Sequence, residues 1–104
     1  GRSVGFDADV GPDANGAPVI VYSRCRREPA VTLIGGQGDW QTARGCDLYR
    51  YSLATRRETK LHHVSSVRSS ETTPSIWRGR IAFSSVSEAR GGHSRVPRVV
   101  VAGL

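Results

Sequence analysis

The chain has 104 residues, a net charge of +6 and an apolar fraction of 38%, which leaves room for one small domain that buries about two-thirds of its unfolded surface. No apolar run approaches the roughly 20 residues that a membrane-spanning helix needs. Fourteen of the fifteen basic residues are arginines, scattered with no block of like charge longer than the pairs Arg26-Arg27 and Arg56-Arg57, so the charge gives no support for a nucleic-acid surface.

The chain opens at Gly1 with no charged-then-apolar leader, and any export signal is expected to have been removed or to lie outside this segment. The signals that follow are those of β structure, and no segment carries a helical apolar stripe. Residues 6–10 read as a strand. Asn15-Gly16 reads as a hairpin turn, because both residues tolerate φ > 0. Residues 19–23 form the return strand, with Pro18 at its front, where a missing N–H is tolerated. Four large side chains in a row, Val19 to Tyr22, predict a strand covered on both faces.

Residues 26–45 interrupt this order with Gly35-Gly36-Gln37-Gly38, Asp39 and Trp40. Long segments without structure of their own tend to be functional or disordered. Gly35, Gly36, Gln37, Asp39 and Trp40 therefore form the candidate binding loop; an insertion without a role is the other reading. The next strand, 47–53, alternates, with Tyr49, Tyr51 and Leu53 on one face and Leu48, Arg50 and Ser52 on the other. Residues 54–57 turn, and 58–62 return as a polar, exposed strand. Residues 65–71 are serine-rich without periodicity and read as a connector. A second hairpin has strands at 73–77 and 80–85 around the turn Arg78-Gly79. A Gly-rich, polar stretch at 86–96 leads to a final apolar strand at 97–102.

One pattern occurs twice. A Gly-containing turn precedes Val19-Ile20-Val21-Tyr22-Ser23, and another precedes Arg80-Ile81-Ala82-Phe83-Ser84. The spacing, about sixty residues, is long for a propeller blade of roughly 40–50, so the unit is expected to carry an insertion. The segment GPDANGAPVIVYS, followed by CDLYRYSLATRRETKL, resembles the blade motif of TolB-like, WD-repeat-like β-propellers. PSIWRGRIAFSS resembles the first two strands of the next blade, and RVVVAGL its third.

The resemblance implies an all-β fold of antiparallel four-stranded propeller blades, one complete and one partial. Residues 1–63 would be the first blade, with the long insertion 26–45 between its second and third strands. Residues 64–71 would connect it to a partial second blade at 72–104. Propellers close with roughly four to eight blades, so the chain is expected to belong to a longer polypeptide. The family works outside the cytoplasm through protein–protein contact. The implied role is thus a non-catalytic, extracytoplasmic (periplasmic or secreted) scaffold without a cofactor, partnered by another protein or by the remaining blades. The alternative is an accessory propeller of a prolyl-oligopeptidase-type peptidase. The chain departs from the family at Arg56, where the turn usually has Gly. Arginine with positive φ costs about 1 kcal/mol, so a different turn is expected there.

Few residues suggest chemistry. Cys25 and Cys46 stand at the end of one strand and the start of its neighbour, where a disulfide forms if the register suits; two free thiols are the other reading. A bridge would close the insertion and point to an oxidising compartment. Adjacent His62 and His63 would point to opposite faces of a strand, against a shared metal. Asp7 and Asp9, two apart, could share a cation, although carboxylates here read more simply as structural. Asp13 reads as a turn-former and Asp47 as the partner of a nearby arginine. No serine lies in a Gly-x-Ser-x-Gly context and no nucleophile–base pair is discernible, which argues against an enzyme.

Overall fold

Short apolar runs separated by Gly, Asn and Pro can hydrogen-bond their backbones only by pairing with one another, and in this chain they do so sequentially. The computed structural model describes residues 5–27, 30–31, 38–39, 44–65, 69–87 and 97–104. Among them are the strands β1 (Gly5–Pro12), β2 (Pro18–Arg27), β3 (Ala30–Val31), β4 (Gly38–Asp39) and β5 (Arg44–Ser52), then β6 (Arg57–Lys60), β7 (Ser69–Trp77), β8 (Arg80–Ser87) and β9 (Arg98–Gly103). The described residues contain no helix. The protein is all-β, with a four-stranded antiparallel sheet in the order β1-β2-β5-β6 and a three-stranded one in the order β7-β8-β9. A two-residue ladder joins β3 to β4.

The turns have local causes. Asp13 Oδ1 accepts from the backbone N–H groups of Asn15 and Ala17, both at 2.9 Å, and Gly16 takes φ = 83°. This is the aspartate-built turn expected from the residue types. Arg78 (φ 46°) and Gly79 (φ 78°) both lie in the left-handed region, which gives the β7–β8 hairpin the twist of its strands. The β5–β6 turn corrects the expectation for Arg56. It does adopt the left-handed conformation, φ = 56°, held by its N–H on Ser52 O at 2.8 Å, while Thr55 N–H donates to Ser52 Oγ at 3.2 Å.

Two boundaries also differ from expectation. Strand β7 begins at Ser69, so Ser69, Ser70 and Glu71 are paired strand rather than connector. Ser70 and Glu71 are buried despite their polarity. Within the insertion, β2 runs on to Arg27 and β5 starts at Arg44, so the ladder reaches past the cysteines.

The core lies between the two sheets. Val19, Val21, Leu48 and Leu61 on the first meet Ile76, Ile81 and Phe83 on the second, with Val100, Ala102 and Leu104 packed alongside. Of the two faces of β5, the one bearing Leu48 is therefore inward, and Tyr49 and Tyr51 are half-buried on the outer side.

The sheets are built alike. Each first hairpin carries a bulge, between Phe6 and Asp9 in one and between Thr72 and Ser75 in the other. Each bulge holds a non-glycine residue with positive φ, Asp7 (53°) and Thr73 (50°). Matching the bulges pairs Asp9–Val21–Arg50 with Ser75–Ala82–Val101, and Val10–Ile20–Tyr51 with Ile76–Ile81–Ala102. Opposed residues in antiparallel strands share a face. The inward face of the first sheet, bearing Val19, Val21 and Leu48, thus corresponds to the outward face of the second. The sheets are stacked head to tail, with non-equivalent faces in contact.

Candidate functional site

The insertion is closed at its base. Cys25 and Cys46 sit opposite each other in the β2–β5 ladder and are joined by a disulfide. The pair is buried, and the Cys46 N–H donates to Ser70 Oγ at 3.0 Å, which ties β5 to the second sheet. That bond explains how a serine at the start of β7 is buried without loss, since a buried donor left unmet is costly. Of the candidate loop residues, Asp39 lies in β4, paired with Ala30. Gly35, Gly36, Gln37 and Trp40 lie outside the described residues.

On the outer face of the first sheet, the register brings together a cluster that the sequence reading did not assemble. Tyr22 and Tyr49 are directly opposed across β2 and β5, with ring centroids 6.2 Å apart and planes 13° from parallel. The Arg24 guanidinium lies 6.0 Å and 5.5 Å from the two ring centroids, within reach of a cation–π contact. Glu58 of β6 closes the group. It pairs with Arg24 at 2.9 Å and accepts a hydrogen bond from the Tyr22 hydroxyl. Burial, the Glu58 hydrogen bond and the Glu58 charge push the Tyr22 phenol well above its ordinary pKa, against a smaller opposing effect of Arg24. Beside it, Lys60 pairs with Asp47 at 3.0 Å, and that hydrogen bond raises the lysine. Asp47 therefore pairs with a lysine rather than the expected arginine. Chemically this is a preorganised surface of aromatic rings and matched charges, suited to contact.

The remaining acidic residues serve the junction between sheets. Asp9 Oδ2 accepts from the Ile76 N–H at 2.8 Å and lies 3.5 Å from Ser75 Oγ. Asp7 accepts from the Thr73 backbone; desolvation outweighs this bond and raises its pKa. The bulge at Asp7 breaks the simple alternation, and each carboxylate meets its own backbone partner on β7. His63 Nε2 lies 2.8 Å from Gly103 O, linking the segment after β6 to the end of β9, while His62 is exposed. Among the described residues, no three His, Cys, Asp or Glu side chains come together as a metal site. No helix among the described residues is long and apolar enough to cross a membrane.

A signal for the tyrosine cluster was present in the chain. Once Cys25 is set opposite Cys46, antiparallel counting places Tyr22 against Tyr49 and Arg24 against Asp47. What the chain alone does not supply is the decision that the cysteines pair. No protein-family model, no curated protein and no solved structure matches this chain.

Proposed function

We propose that this chain is a segment of a β-propeller of the TolB-like, WD-repeat-like kind, acting outside the cytoplasm as a non-catalytic scaffold for protein contact. One observation carries the reading: two sheets with matching bulges are stacked head to tail, so the same face points the same way in each. That is the relation between successive blades of a propeller, where radial repetition leaves only short, protected edges. Strands β1 and β7, the first of each sheet, touch through Asp9 and Ile76, as the innermost strands of neighbouring blades would. The Cys25–Cys46 disulfide favours an oxidising compartment. The disulfide-closed insertion is the surface through which a further protein partner would be held.

A crystal structure of the assembled protein tests the proposal. Sheets arranged around a common axis, with β1 and β7 innermost, are the expected result. A straight open stack, or an isolated two-sheet particle of 42 × 27 × 24 Å, would overturn it.

A further inference from the structure

We infer that the outer face of the second sheet docks on the outer face of the first sheet of another copy of this chain, head to tail. The inference rests on the same equivalence of sheets as the propeller reading, and it names the partner that supplies the neighbouring sheet.

The contact inside the chain is the template. There the row Ile76–Ile81–Ala102 of the second sheet is seated on the face of the first that bears Val19, Val21 and Leu48. The corresponding seat on the second sheet is its outward face. On it Val101 occupies the place of Arg50, Val99 that of Leu48 and Ala82 that of Val21. Val99 is 81% exposed and Val101 57%. Two neighbouring valines on one face, at an edge strand paired only with β8 among the described residues, form an apolar patch that association would bury.

The incoming row is also present in the chain. Val10–Ile20–Tyr51 of the first sheet corresponds to Ile76–Ile81–Ala102, and it faces outward, with Val10 61% exposed. The unsatisfied seat and the unsatisfied row are on opposite outer faces. One copy cannot bring them together, but two copies can. The continued contact repeats the geometry already made once within the chain, apolar row on apolar seat.

The two contacts differ most at one corner, where the pair Trp77–Arg80 stands in place of Gly11–Val19. Trp77 stands where the first sheet has Gly11. Ile76 packs so closely on Gly11 that a Cβ there would lie 2.8 Å from Ile76 Cγ2. Trp77 has no such room, so it lies over Val10 of the neighbouring copy and holds the stack wider at that corner. A contact between two different surfaces propagates, closing into a ring or running on as a fibre. A ring of roughly four to eight sheets takes about two to four copies.

Sedimentation velocity on the chain and two variants tests this. One variant carries Val99→Lys and Val101→Lys; the other carries Val10→Lys and Tyr51→Lys. The unaltered chain is expected to sediment as an oligomer and each variant alone as a monomer. Mixed in equal amounts, the variants are expected to form a dimer and nothing larger, because each keeps the face that the other has lost. Val10→Lys alone repeats the test if the tyrosine change disturbs folding, which circular dichroism reports. A monomeric unaltered chain, lysine variants that still assemble, or a mixture that stays monomeric would overturn the proposal. The two readings fail separately. A ring indifferent to the lysines keeps the propeller and removes this contact, whereas fibres abolished by either variant keep the contact and remove the ring.

Discussion

Four residues concentrate the local energetics. Arg56 holds a left-handed conformation without glycine's freedom, so Arg56→Gly is expected to stabilise the protein by about 1 kcal/mol, read from the midpoint of guanidinium unfolding. The cysteine pair closes a sequence separation of 21 residues; reduction, or Cys25→Ser with Cys46→Ser, should cost about 3 kcal/mol and lower the melting temperature. Titration of the folded, unreduced protein should find no free thiol. Tyr22 ties stability to alkaline pH. Its folded-state pKa lies above the unfolded value, so its contribution is complete below about pH 10 and is lost as pH rises beyond it. Tyr22→Phe should flatten that decline when unfolding is compared at about pH 8 and about pH 11. A slope unchanged by the substitution would assign the alkaline loss to other groups.

At the scale of the element, close approach decides which glycines are replaceable. A Cβ on Gly79 would lie 2.6 Å from the Ala14 backbone nitrogen, and its φ is positive. A Cβ on Gly11 would meet the branched Ile76 side chain instead. Gly79→Ala is therefore expected to be the more damaging, while Gly11→Ala should cost about 1–3 kcal/mol by overpacking, both measured by chemical denaturation. Strands whose apolar residues were bounded by Gly, Asn or Pro were legible in the sequence: β1, β8 and β9 lie close to where expected, and β2 does so apart from its extension to Arg27. The start of β7 was not. Ser69, Ser70 and Glu71 look like connector because polar runs usually remain in water. Ser70 and Glu71 are buried: the Cys46 N–H donates to Ser70, a partner that exists only after the sheets meet, and within β7 the Ser69 hydroxyl donates to Glu71 at 2.7 Å. The candidate loop was named from composition; the chain left open whether Cys25 and Cys46 pair, and the β2–β5 register decides it.

At the scale of the molecule, both sheets share one core, so neither is expected to melt alone. Leu48→Ala and Phe83→Ala, one on each side of the junction, should each cost about 2–5 kcal/mol. Circular dichroism and tryptophan fluorescence should report coincident unfolding curves. Separate transitions for the two probes would mean that the sheets fold independently. By itself the sequence determined most of the strands and the turns at Asn15-Gly16 and Arg78-Gly79, because backbone dihedral preference and two-residue periodicity act over a few neighbours. It also carried the register, latent in the opposition of two cysteines. The tertiary structure decided which face of each sheet is inside. Tyr49 and Leu48 are both apolar enough for a core, and only the arrival of Ile76, Ile81 and Phe83 over Leu48 turned the tyrosines outward to meet Arg24 and Glu58. The head-to-tail stack, and the two outer faces it leaves for a neighbour, belong to that choice, since alternation offers two faces and packing selects between them.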